Sequence, residues 1–218
     1  MSIPILQTGN FACLAIKTRV SFELRQPIQL TNGLYATTEV PFLLDEFWRD
    51  NIGKIESDHI TNCNLFILAQ TSNPGITSNV LLDLINTRHY ALLLQGAGYC
   101  ERGVSLFGSN SLNGRRVSAL RRLPDYYGPF KVLSADVDHD ALNATSSLCD
   151  GLNTIYKNQT DTAHLSANYL RLRKGFHAFW DAIKQDAVHE RLHQFVRAIE
   201  AVIKLRWSSF SGHQTLAL

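Results

Sequence analysis

Residues Val188 to Ile203 read VHERLHQFVRAIEAVI, and the fold class turns on that stretch. Apolar residues fall at Val188, Leu192, Phe195, Val196, Ile199, Val202 and Ile203, the three-and-four spacing that gathers side chains on one face of an α-helix. His189, His193, Arg197, Glu200 and Lys204 form a polar stripe on the other face. No glycine or proline interrupts the run. An amphipathic helix follows, with its apolar face expected in a core.

Upstream of it the same periodicity recurs. A helix over roughly Ala163–Lys184 carries Leu165, Tyr169, Leu172, Phe176, Phe179 and Ile183. Before it, Asp136 or Ser134 can cap a helix bearing Val137, Leu142, Leu148, Leu152 and Ile155, which the Asn158–Thr162 cluster breaks. All six prolines and ten of the thirteen glycines precede residue 134, and only Gly151 and Gly175 lie between Ser134 and Arg206. The composition changes near Leu133. The expected fold class is α+β: a β-rich N-terminal domain over residues 1–133, with short helices, and a three-helix module over 134–218 whose tail, from Trp207, is irregular. Phe176, Phe179 and Trp180 span more than one helix face, so one of them is expected outside the core. A symmetric dimer through the second and third helices would cover it.

The first half reads as strands and turns. Phe11 to Leu24 is rich in Ile, Val, Phe and Thr, and Val20, Phe22 and Leu24 alternate as a half-buried strand does. Thr31-Asn-Gly33 signals a turn into a short strand, Leu34–Thr37. Phe42–Trp48 suits one short helix between Pro41 and Gly53, and Leu65–Ala69 a buried strand. After Asn73-Pro-Gly75, a helix over Val80–Ile85 is expected to lead to a strand over Tyr90–Leu94.

Charge and composition narrow the function classes. Net charge is +2 with 18% charged residues, which implies neither a nucleic-acid nor a membrane partner by itself. Cys13, Cys63, Cys100 and Cys149 are widely spaced with no CxxC pair, which argues against a zinc ribbon and a disulfide framework. The start, MSIPILQTGNF, lacks the basic and apolar regions of a signal peptide, and no stretch approaches the roughly 18 apolar residues of a membrane span. A cytoplasmic location is expected, with no membrane partner and no cofactor.

His189-Glu190-Arg191-Leu192-His193 matches HExxH, in which two histidines one turn apart bind zinc and the glutamate activates water. Arg191 places a full charge between those ligands. A third ligand is also needed, and Glu200 lies about 10 Å along the helix from His193. Only His213, or His177 and Asp181 on the preceding helix, could complete the set. A zinc hydrolase at His189, Glu190 and His193 therefore stands as an alternative, against a solvated helix face on which His193, Arg197 and Glu200 pair.

RLHQFVRAIEAVI, following RLRKGFHAFW, resembles the C-terminal region of Apea-like HEPN proteins, and LTNGLYATTEVPFLLDEFWRDNIGKI resembles the domain that precedes it there. The resemblance implies a bacterial, cytosolic, defence-associated protein whose all-α HEPN module binds or cleaves RNA. In that superfamily an arginine and a histidine with four to six residues between them cleave RNA without metal, by acid–base work and phosphate stabilisation. Here Arg171 with His177 and Arg206 with His213 have suitable spacing, although fourteen arginines and eight histidines make one or two such pairs expected by chance. His193 and Arg197 are further candidates. The ending, SSFSGHQTLAL, departs from the family's continuation, which implies a shortened member without the nuclease pair. A non-catalytic interaction module is the remaining alternative.

One more region differs in character. Residues 101–131 carry a net charge of +4, against −2 for 1–100 and 0 for 132–218. Asn113-Gly114 suggests a hairpin whose second strand, Arg115–Leu123, turns Arg115, Arg116, Arg121 and Arg122 outward. With Tyr126 and Tyr127 these could grip phosphates and stack bases, making RNA a candidate partner beside a second copy of the chain. Gly96-Ala-Gly98 after the expected strand is a faint phosphate-loop signal.

Overall fold

A computed structural model describes residues 9–21, 27–42, 44–100, 103–111, 114–123, 135–157, 167–185 and 187–210. The mixed α+β class holds. The chain divides into two compact units, Met1–Cys149 and Asp150–Leu218. The first unit runs past the composition change at Leu133 to take in the start of a helix.

That unit is built on β1 (Gly9–Ile16), whose residues from Phe11 to Ile16 are all buried. Successive strand side chains point to opposite faces, so an unbroken buried run means that both faces are covered. The remaining strands are β2 (Ile28–Thr31), β3 (Leu34–Thr37), β4 (Leu65–Thr71), β5 (Gly103–Ser111) and β6 (Gly114–Leu123). They form a six-stranded sheet in the order β2-β3-β4-β1-β5-β6, antiparallel at every step. The Asn32-Gly33 turn joins β2 to β3 as its sequence suggests. Val20 makes only an isolated bridge, to Val137, and Phe22 and Leu24 lie outside the described residues.

On one face, Phe11, Cys13 and Ala15 join Phe66, Leu68 and Leu106 beneath Trp48, Ile60 and Cys63. The covering helices are α1 (Glu46–Ile52) and α2 (Lys54–Thr61). The expected helix over Phe42–Trp48 starts later, because the Asp45 carboxylate accepts the Trp48 N–H and caps it there. Trp48 stacks on Phe42 at 4.5 Å and meets Phe11 and Phe47 edge-on.

The third helix, α3 (Ser78–Leu94), packs along β1, β4 and β5. It replaces the expected short helix and strand with one unbroken element. Leu81, Leu82, Ile85, His89 and Leu92 are buried at three-and-four spacing, and Tyr90–Leu94 continues that face. A short apolar run reads as either a buried strand or a buried helix by periodicity alone. Gly96, at φ +75°, then ends the helix. Its N–H donates to Leu93 O and the Ala97 N–H to Leu92 O, both at 3.0 Å, the paired bonds of a Schellman motif.

Helix α4 (His139–Lys157) is capped by Asp138, whose carboxylate accepts the Ala141 N–H at 2.7 Å. The expected cap, Asp136, instead pairs with Arg19 at 2.8 Å. Leu142, Thr145 and Cys149 are buried.

In the second unit, α5 (Ala167–Lys184) and α6 (Val188–Phe210) form an antiparallel hairpin. Phe179 meets Phe195 edge-on at 5.9 Å, and Gly175 meets Ala201. Arg191 closes the connection, donating from Nε at 2.8 Å and from Nη2 to the Gln185 carbonyl. Two expectations are corrected here. The helix continues to Phe210, through the start of the expected irregular tail. The apolar face of α6 is also not core: Val188, Leu192, Val196, Ile199 and Ile203 are exposed. Contact with α5 uses the side holding Phe195, Ala198 and Ala201, where small residues let the backbones approach. Trp180, which the dimer expectation would have used, is buried.

Candidate functional site

The basic hairpin exists as a hairpin. In its register Arg115 stands opposite Asn110, Arg116 opposite Ser109, Arg121 opposite Ser105 and Arg122 opposite Val104. The register shifts between Phe107 and Gly108, leaving Ser118 as the extra residue of a bulge. β6 is an edge strand: β5 pairs with it on one side, and among the described residues no strand pairs on the other. Between Gly103 and Leu123 there are four arginines and no acidic residue. Tyr126 and Tyr127 lie outside the described residues.

The helical candidates sit on α5 and α6. Arg171 and His177 are both exposed, on one unbroken helix. Six residues of α-helix separate them by about 9 Å along the axis and about 120° around it, so the two do not share a face. His189, His193, Arg197 and Glu200 do share one, an exposed stripe about 80° wide. His189 Nε2 lies 3.6 Å from Glu190 Oε1, and Arg197 Nη1 donates to Gln194 Oε1 at 3.4 Å. Arg191 is committed to Gln185. Among the described residues no group of three or more His, Cys, Asp or Glu comes together around a metal position, so the zinc alternative has only His189 and His193 there. Arg206 is helical, and His213 lies outside the described residues.

Gly96-Ala-Gly98 is not a phosphate loop. A helix precedes it instead of a strand, and the Gly96 and Ala97 amides are spent on Leu93 and Leu92.

Two functional groups escaped the sequence reading: Arg88 and His89, adjacent and buried on α3. Arg88 Nη1 donates to Thr145 Oγ1 at 3.0 Å and to Ser146 Oγ at 2.9 Å, while its Nε has no partner among the described residues. No carboxylate pairs with it among the described residues. His89 Nε2 donates to Gly98 O at 2.9 Å, which a carbonyl can only accept. Burial pushes its pKa down to about 4, the hydrogen bond to Gly98 opposing, so the ring is neutral at pH 7 and is no acid–base catalyst there. The available signal was charge on a core-facing helix position, inside the run INTRHYALLL.

Cys13 and Cys63 offer no nucleophile among these groups. Burial pushes Cys63 up to about 12 and raises Cys13 as well, which keeps both protonated. No helix of the described residues is long and apolar enough to cross a membrane.

Comparison of the chain with protein-family models, with curated proteins and with solved structures finds no match.

Proposed function

We propose that the protein binds RNA through the β5–β6 hairpin and is a HEPN-type, defence-associated protein. The observation that carries the reading is the edge strand β6, with four arginines in ten residues and no acidic residue anywhere in the hairpin. Such a strip meets a phosphate backbone without a competing carboxylate, and its affinity derives mainly from counterion release. The resemblance of RLRKGFHAFW and RLHQFVRAIEAVI to Apea-like HEPN proteins supports RNA as the nucleic acid and a cytoplasmic setting. For cleavage, His193 and Arg197, one turn apart and exposed, are better placed than Arg171 and His177: the histidine would move the proton and the guanidinium would stabilise the phosphorane charge.

The experiment is a salt titration of binding to labelled single-stranded RNA, with cleavage followed in EDTA. Arg115, Arg116, Arg121 and Arg122 changed together to Ala should weaken binding and flatten the salt slope by about 0.7 per lost contact. Unchanged affinity would remove the hairpin reading. Cleavage that survives EDTA but not His193→Ala assigns the pair. Hydrolysis lost in EDTA and restored by zinc would instead promote the metal reading at His189 and His193.

A further inference from the structure

Arg88 is 4% exposed and meets α4 through Thr145 and Ser146. A guanidinium carries five N–H donors and no acceptor. Two of the five, both on Nη1, reach the Thr145 and Ser146 hydroxyls. Among the described residues Nε has no partner, and Nη2 makes no hydrogen bond either. The Nε hydrogen and the nearer Nη2 hydrogen point the same way from one edge of the planar group. The unused donors therefore form the parallel pair that a carboxylate accepts. A charge buried against neutral hydroxyls alone is unfavourable, and an opposite charge of good geometry is what offsets it. The neighbouring helices do not supply one. Asp136 pairs with Arg19, Asp138 caps α4, and Asp83 and Asp140 are exposed.

We propose that the Nε–Nη2 edge of Arg88 binds the carboxylate of a small-molecule ligand at the α3–α4 contact. Thr145 and Ser146 fix the plane of the guanidinium through Nη1, so the free edge is held ready. Thr145 is itself fixed, its hydroxyl donating to Leu142 O at 2.5 Å. Further along the same contact, Gln95 Nε2 donates to Ala91 O at 3.1 Å and to Ala141 O at 3.2 Å, which ties the two helices together. Ser146 is half-buried and stands between the core and the exposed Ser147, the side from which a ligand would enter.

Charge decides which oxyanion fits. A carboxylate carries one negative charge, a phosphate monoester about 1.5 to 2 near neutral pH. Arg88 is the only lysine or arginine of Ser78–Leu94, and residues 135–149 contain none. His89, beside it in sequence, is turned to Gly98 O and is neutral at pH 7. One guanidinium balances a carboxylate and leaves a phosphate with uncompensated charge in a buried setting. Neither Arg88 nor its hydroxyl partners belong to the β5–β6 hairpin, and the proposal does not depend on the RNA reading.

The test is the proton–nitrogen NMR spectrum of the arginine Nε–H groups in the full chain. Sodium acetate is the probe, with sodium chloride and sodium phosphate titrated at matched ionic strength and pH. The Arg88 signal is the one missing from Arg88→Lys, or from Arg88→Met if the lysine variant does not fold. Acetate should shift that signal saturably, chloride should not, and phosphate should bind about ten-fold more weakly or worse. Acetate should also raise the thermal midpoint of the parent above its value in matched chloride, because a ligand of the folded state stabilises it. The Arg88→Met melt should show no such difference. An Arg88 signal that acetate does not shift saturably, or that phosphate shifts at lower concentration, overturns the proposal. So does an acetate effect on the melt that is equal in the parent and in Arg88→Met.

Discussion

Gly175 on α5 lies so close to α6 that a methyl group on its Cα would stand 2.8 Å from Ala201 Cβ and 3.4 Å from Ala198 O. A glycine in a helix interior costs about 1 kcal/mol relative to alanine, so this one is retained for the approach it permits. Gly175→Ala should recover that helix propensity and lose more by forcing the helices apart, for a net loss of about 1 kcal/mol; Gly175→Leu should lose about 3. Thermal melts followed at the helical circular-dichroism band decide it. An alanine variant as stable as the parent would mean that the two helices are not held at this distance.

Arg88 makes its described hydrogen bonds to hydroxyl groups only, so the structure ranks three substitutions. Thr145→Val removes an acceptor and leaves a buried guanidinium poorly satisfied, at a cost of about 1–3 kcal/mol. Ser146→Ala should cost less, because that hydroxyl is only partly buried. Arg88→Met removes the buried charge itself and should cost less than Thr145→Val, or stabilise, provided the stem packs. Urea melts with unchanged m-values measure all three. A loss well above 3 kcal/mol for Arg88→Met would reveal an ion pair at this guanidinium.

His89 gives the fold a pH dependence with a defined sign. Its pKa in the folded chain is about 4, below the 6.5 of an unperturbed histidine. As pH falls through 6.5 the unfolded chain takes up the proton and the folded chain does not. Stability is thus full above about pH 6.5 and declines toward pH 4, by on the order of 3 kcal/mol from this group. His89→Gln should flatten that part of the profile whatever its own cost. The same slope in the variant would assign the effect to other groups.

Two aromatic residues should respond unequally to truncation. Trp48 is 1% exposed among Phe11, Phe42 and Phe47, so Trp48→Ala should cost about 3–5 kcal/mol. Among the described residues its Nε1 has no hydrogen-bond partner, and Trp48→Phe therefore sacrifices packing alone and should cost distinctly less. Phe195 is only half-buried, with Phe179 at its edge, and Phe195→Ala should cost about 1–2 kcal/mol. Equal losses at Trp48 and Phe195 in denaturant melts would contradict the burial difference.

Much of the architecture was legible in the residues. The unbroken apolar run at Leu65–Ala69, the Asn32-Gly33 turn and the Asn113-Gly114 turn all report short-range chemistry, and β4, the β2–β3 hairpin and the β5–β6 hairpin stand where those signals lie. The amphipathic periods of α5 and α6 were equally plain, because a helix writes its own period into the chain. Failures came where two structures share one local pattern. Tyr90–Leu94 is apolar throughout, and nothing inside it distinguishes a buried strand from the last turns of α3.

What the sequence determined by itself was the kind of each element and the charge of the hairpin, since both follow from neighbours within a few residues. Which face of α6 is buried was decided only by tertiary structure. Periodicity marks the face able to be buried, but burial depends on the surface presented to it. Here Gly175 presents a shallow one, Ala198 and Ala201 fill it, and the apolar stripe is left exposed. Arg88 shows the same division: its charge is visible in the chain, whereas its burial appears only when α4 brings Thr145 and Ser146 against it.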